Sequence, residues 1–312
     1  MIAPKPHSPR KREVKRVTIA AGILCADGIV MCADSQEING DFKWPVKKLV
    51  YPRATIGDFS IMISGAGFGP AIDTAAQKIF SRTAMNAPSY DQTVRIIEDV
   101  LREIHEKDLR YYPTNDKYSL QFRLLIAFTS GGAAGLFVSD GSLRTRVDSF
   151  EVIGSGEITK FFAYMLYKQT ALGYPTMNTA EGAVFATFLV YLAKSQLTSV
   201  GGKPQLAIIR YGAEGGICFA NVWEAPAIEP IFPGCLEIGA QILLKCANPH
   251  LPERAFNDIL REHGKSLKRL HRSITKQKKY WDALWREYKN AGIDLVGHTP
   301  TQSDSETSED QQ

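Results

Sequence analysis

The stretch KRVTIAAGILCADGIVMCADSQEINGD, residues 15–41, carries Thr18 at the head of one apolar run and Asp34 at the end of the next. A threonine hydroxyl is a weak nucleophile until an adjacent base takes its proton. Thr18 is therefore either a β-branched strand residue or a nucleophile awaiting exposure as a new N-terminus. Lys48 closes a Lys-Lys pair, Gly65 opens the run GAGFG, and Ser155 lies within IGSG at 153–156. Taken singly, Asp34 reads as a strand terminator, Lys48 as a surface cation and Gly65 as a turn glycine before a helix. The cysteines, Cys25, Cys32, Cys218, Cys235 and Cys246, are odd in number and lack CxxC spacing. Neither a disulfide framework nor a zinc site is expected. Cys25 and Cys32 read as small buried hydrophobes.

The elements that must position these residues follow from periodicity and punctuation. Strands are expected over 17–25 and 28–33, with Ala-Asp-Gly as a tight turn between them. A third strand, 60–65, leads into the small-residue turn 65–69 and a helix from Pro70 to about Ala84. Ser89 and Gln92 have capping-box spacing, and Val94, Ile97, Leu101 and Ile104 form the apolar stripe of the helix that follows. Strands at 122–128, 134–139 and 147–153 precede two helices, 157–172 and 179–196, the second opened by Asn178 and Glu181 in capping-box register. Strands at 205–211 and 216–223 complete the set. Two helix pairs set between strand blocks argue against βαβ alternation and for an α+β, four-layer α-β-β-α sandwich.

Four regions are expected along the chain. Residues 1–16 form a flexible basic segment suited to a propeptide, with six Lys/Arg against one Glu over 5–16. The globular domain spans 17–225. An extension over 226–297 carries a long basic helix, 253–291, on which Leu260, Leu267, Ile274, Trp281 and Tyr288 recur every seven residues. Such a seam suits either a partner or the chain's own globular domain. The tail 298–312 has the composition of a disordered segment.

The 312 residues are 44% hydrophobic and 22% charged, with a net charge of +4, values ordinary for a soluble globular protein. The basic runs lack aromatic interleaving, which argues against nucleic-acid binding. The longest apolar stretch, 183–193, is too short to span a bilayer, and no signal-peptide core follows the basic N-terminus. A reducing cytoplasm is the expected location.

The ordered set TIAAG (18–22), DG (27–28), ADS (33–35), Gly40, VKKL (46–49), SGAG (64–67) and IGSG (153–156) resembles the opening and core motifs of proteasome β-type subunits and of the bacterial two-ring threonine peptidases. Both are N-terminal-nucleophile hydrolases. The resemblance covers about 17–223. It implies that Thr18 is the nucleophile, that Asp34 holds Lys48, that Gly65 supplies an oxyanion-hole amide, and that Ser155 supports the N-terminal amine. An α-amino group titrates near neutrality, with a reference pKa of about 7.7–8.0, so a freed Thr18 could use its own amine as base. A nearby lysine cation lowers that pKa further. No cofactor is required. The resemblance further implies a homo-oligomeric ring or association with other proteasome-like subunits, polypeptide substrates and an ATPase regulator.

Three positions depart from the family pattern. Val17 stands where active precursors carry glycine, Ile19 where a second threonine is common, and LTSVGG (197–202) lacks the aspartate of the corresponding Asp-Ala-x-Ser-Gly-Gly segment. Two function classes therefore stand beside the peptidase. One is a catalytically inactive structural or regulatory subunit, and the other is a basic binding module using residues 254–289.

Overall fold

Alternating and fully apolar runs at the start of the chain form a tight hairpin. The structure is a computed structural model and describes residues 18–39, 42–51, 59–84, 88–112, 120–161, 163–164, 177–211, 217–220, 229–234, 236–237, 240, 252–255, 257–269, 271–272 and 275. Strands β1 (Ile19–Cys25) and β2 (Gly28–Ala33) pair antiparallel around the Ala-Asp-Gly turn, with Ala20 opposite Ala33 and Cys25 opposite Gly28. A short hairpin, β3 (Gln36–Asn39) and β4 (Phe42–Pro45), follows and leads to β5 (Leu49–Val50).

Strand β6 (Ser60–Gly67) precedes helices α1 (Gly69–Ala84) and α2 (Tyr90–Glu103), the latter running into a π-helical segment, Ile104–Leu109. Next come β7 (Phe122–Ser130), β8 (Ala133–Asp140), β9 (Leu143–Arg146) and β10 (Phe150–Gly154), then α3 (Thr179–Gln196), β11 (Gln205–Arg210) and β12 (Ile217–Ala220). The fold is mixed α/β with two five-stranded antiparallel sheets, ordered β10-β1-β2-β11-β12 and β5-β6-β7-β8-β9.

Three apolar clusters hold these elements. The first packs α3, through Ala186, Leu189 and Val190, on Ile19, Ile23 and Val30. The second joins α1 and α2 to β6 and β7, through Ile79, Ile97, Ile61 and Phe128. The third draws residues from both sheets, including Ala20, Met31, Met62, Leu125 and Ile153. Fully burying each large side chain contributes about 1.5–3 kcal/mol.

Both capping boxes form as the spacing predicts, Ser89 with Gln92 and Asn178 with Glu181. Each satisfies orphan N–H groups in the first helical turn. Three expectations need correction. Gly65, Ala66 and Gly67 do not make a turn; they extend β6, opposite Leu124, Arg123 and Phe122. Small side chains are no obstacle to strand pairing when the neighbouring strand supplies the ladder. The expected strand 147–153 begins later, as β10 in the first sheet, because residues 147–149 cross over from β9, an unexpected strand of the second sheet that ends at Arg146. The hairpin β3–β4 was not expected at all.

Residues Glu229 and Phe232 contact α3: Glu229 pairs with Lys194, and Phe232 is buried against Phe188 and Tyr191. Helical residues recur over 253–275, where Leu260 and Leu267 are exposed. Residues 1–17, most of the expected 157–172 helix, the heptad positions beyond Leu267 and the tail 298–312 lie outside the described residues. Among the described residues no helix is long and apolar enough to cross a membrane.

Candidate active site

Thr18 immediately precedes β1 and is buried, 6% exposed. On one side, β1 pairs with β10 so that Ile19 lies opposite Gly154. On the other, the Asp34 amide donates to the Ile19 carbonyl oxygen at 3.2 Å, which carries the β1–β2 ladder one step past Ala33. This places the Asp34 side chain, fully buried, directly below the residue that follows Thr18.

The Asp34 carboxylate gathers four donors. Oδ1 accepts from the Ile19 amide at 3.1 Å and from Lys48 Nζ at 2.8 Å. Oδ2 accepts from the amides of Gln36 and Gly201, both at 3.3 Å. A buried carboxylate is tolerable only when paired and hydrogen-bonded; here one ammonium and three amides meet that need. The Gly201 contact comes from a segment that lacks the aspartate of the family pattern. There the main chain, rather than a side chain, reaches the site.

Lys48 is not a surface cation. Its side chain is 9% exposed and salt-bridged to Asp34. Burial pushes the Lys48 ammonium below its ordinary pKa of 10.5, and the Asp34 charge and hydrogen bond, with Glu37 further off, act in the opposite direction. Lys47, one residue earlier, turns the other way, with Nζ 4.1 Å over the centre of the Tyr51 ring. The Lys-Lys pair therefore sends one cation inward and one outward, as alternation in an extended segment requires.

Gly154 meets Thr18 from the β10 side. Its φ is +89°, and a Cβ there would lie 2.0 Å from the Thr18 carbonyl oxygen and 3.0 Å from the Ala66 Cβ. Glycine is needed on both counts. The same geometry brings the Gly65–Gly67 end of β6 beside Thr18. Gly65 is buried within β6, and a Cβ on it would collide with the Ile72 side chain at 2.4 Å. Ser155 is exposed and opens a short 3-10 turn, Ser155–Ile158, one residue beyond the register partner of Ile19.

The structure thus joins Asp34 to Lys48 and to the amide of Ile19, the residue after Thr18, and sets Gly65 within β6 and Ser155 just past β10. Sequence reasoning missed Gly154 as the residue that touches the Thr18 carbonyl, although it lies within the quoted IGSG. It also missed Gln205, whose side chain binds the Lys48 and Leu49 amides at 2.9 and 3.1 Å. No local motif marks that glutamine. Among the described residues no three His, Cys, Asp or Glu side chains cluster as a metal ion would need.

This mixed α/β fold of two antiparallel sheets has counterparts among solved structures. Anbu (ancestral beta-subunit) from Yersinia bercovieri matches with a TM-score of 0.57 and 14% identity, over 76% of this chain and 100% of that one. Anbu from Hyphomicrobium sp. strain MC1 matches with a TM-score of 0.54 and 16% identity, over 72% and 97%. A helical assembly of the Anbu complex from Pseudomonas aeruginosa matches at 0.58 and 14%, over 76% and 99%. At such identities the likeness is one of fold alone. No protein-family model and no curated protein sequence matches the chain.

These findings correct the resemblance drawn from the motifs. The chain is not identified as a proteasome β-type subunit or a bacterial two-ring threonine peptidase; its structural neighbours are Anbu proteins. The physical reason is that the motifs sit where the fold itself constrains them, at the β1–β2 turn, the buried Asp34 and the close approach at Gly154. Residues that a backbone constraint demands do not by themselves identify a family.

Proposed function

We propose that the chain is a threonine-type peptidase on an Anbu-type fold, with Thr18 as nucleophile. The observation that carries the reading is the Asp34 oxygen shared by Lys48 Nζ and the Ile19 amide, because it ties a buried cation to the residue next to Thr18. In this reading the Thr18 hydroxyl adds to the Val17 carbonyl carbon and the Val17–Thr18 C–N bond breaks, freeing the Thr18 amine. Water then hydrolyses the ester that results, which releases residues 1–17 and restores the hydroxyl.

The freed α-amine takes the hydroxyl proton when Thr18 attacks a substrate carbonyl and returns it to the leaving amine; water then hydrolyses the Thr18 ester, releasing the acid product and restoring the hydroxyl. Lys48 lowers the pKa of that amine by Coulomb repulsion, and Asp34 fixes Lys48. The amides at the Gly65 end of β6 receive the developing oxyanion. Ser155 supports the amine, and polypeptides are the substrates.

The same proposal extends to architecture. The three apolar clusters support an α-β-β-α layer order for 17–225, with 226–297 as an extension of that domain. Exposed Phe42, Trp44, Ile158 and Phe161 support assembly of several copies into a closed ring or a helical array.

A second reading, an inactive scaffold on the same fold, is favoured by one observation. Leu197, where the family pattern has its aspartate, packs against the apolar cluster under α3. Intact mass of the purified chain beside Thr18→Ala separates the two. Loss of residues 1–17 from the parent protein alone supports the peptidase. An intact N-terminus in both sinks it and leaves the scaffold.

A further inference from the structure

We propose that Gln205 is a positioning residue that selects Lys48, rather than Lys47, as the cation of the site. The inference rests on the peptidase reading for its consequence in catalysis, but not for its geometry.

Gln205 is the first residue of β11 and lies opposite Ala33, next to Asp34 in the chain. Its side chain leaves the first sheet and reaches the segment 46–49, which runs from the β3–β4 hairpin to β5 in the second sheet. Oε1 accepts from the amides of Lys48 and Leu49 at 2.9 and 3.1 Å, and Nε2 donates to the Val46 carbonyl oxygen at 2.6 Å. The segment is also held by the Val46 amide on the Ser35 carbonyl at 2.7 Å, by the Ser64 hydroxyl on the Lys48 carbonyl at 3.0 Å, and by the pairing of Leu49 opposite Ser64 where β5 begins. One amide side chain therefore closes three main-chain groups within four residues.

The lysine it fixes has a long, flexible stem, so the ammonium is placed only if the backbone beneath it is. Side chains alternate along an extended segment, and a slip of one residue exchanges the faces. Lys47 and Lys48 are adjacent and chemically identical, so nothing in their own chemistry decides which one meets Asp34. The three bonds to Gln205 fix the register that turns Lys48 inward and leaves Lys47 over Tyr51. The primary amide of Gln205 supplies both the acceptor for two N–H groups and, from a separate atom, the donor for the carbonyl. Glutamate lacks the donor, and leucine lacks both.

The test uses the full chain in three forms, parent, Gln205→Leu and Gln205→Glu. Lysines are trace-labelled with acetic anhydride under native conditions, and the Lys48 to Lys47 ratio is read by mass spectrometry. The expected result is protection of Lys48 in the parent, loss of that protection in Gln205→Leu, and partial loss in Gln205→Glu, which keeps the acceptor. Lys48 that stays protected in either folded variant overturns the proposal.

The second readout is peptidase kinetics on a fluorogenic peptide. Gln205→Leu is expected to lower kcat/KM on the order of 10²-fold, the scale of an approximately 1 Å misplacement, with the loss in kcat rather than KM. The acid limb of the pH profile moves to higher pH, because an amine without its neighbouring cation is more basic. An unshifted profile, or a loss confined to KM, overturns the positioning role. If the parent protein neither processes nor cleaves, the peptidase reading fails, while the labelling ratio still decides whether Gln205 sets the register.

Discussion

The carbonyl oxygen of Thr18 lies 2.0 Å from the point that a Cβ on Gly154 would occupy. No side chain fits there, and the φ of +89° at Gly154 disfavours one independently. Gly154→Ala must therefore push β10 and the head of β1 apart. We expect a destabilisation of about 1–3 kcal/mol from backbone strain, read as a lower urea midpoint with an unchanged slope. The head of β1 should also lose amide-exchange protection at Ile19 and Ala20, while α2 keeps its own.

The buried ion pair gives a sharper result. Lys48→Met leaves the Asp34 carboxylate without its counter-charge, and breaking a buried pair in this way costs about 3–5 kcal/mol. The double variant Asp34→Asn/Lys48→Met removes the orphaned charge and keeps one carbonyl oxygen for the Gln36 and Gly201 amides, while its NH2 faces the Ile19 amide. It should recover part of that loss, so the cycle measured by denaturant unfolding will be strongly non-additive.

His105 supplies a pH dependence unrelated to the site. Its ring stacks on Phe122, centroids 5.3 Å apart, and its Nε2 is buried without a hydrogen-bond partner. Burial holds its pKa below the ordinary 6.5, with a backbone contact from Gly141 opposing. The unfolded chain then binds the proton more tightly than the folded one. His105 therefore lowers stability as pH falls from 6.5 through its depressed folded pKa, and has no such effect above 6.5. Unfolding free energies measured between about pH 7.5 and about pH 5 should fall less steeply in His105→Phe than in the parent protein.

Cys25 and Cys32 are buried free thiols. Burial is the main cause that pushes each up to about 12, aided at Cys25 by Asp27. The reactive thiolate is therefore scarce at any physiological pH. Iodoacetamide at about pH 8 should spare both in the native chain and label both after unfolding. Native labelling of Cys25 would show that α3 lifts from β1, since a Cβ on Gly182 would lie 2.5 Å from the Cys25 sulfur.

What the sequence determined by itself is local. The β1–β2 hairpin, the capping boxes at Ser89 and Asn178, and the bounds of α1 and α3 rest on residues within four of one another, where turn chemistry and hydrogen bonding act directly. Thr18, Asp34 and Lys48 are nominated by the resemblance that the ordered motifs carry; read singly, each has an ordinary structural role. Tertiary structure decided everything that spans the chain. Gly201 reaches Asp34 across 167 residues, and Gln205 reaches Lys48 across 157; sequence periodicity carries no record of pairs so distant. The same holds for Gly65, which reads as a turn until β7 is seen beside it, and for the choice between Lys47 and Lys48. A strand has two faces, and only the packed partner determines which one is inside.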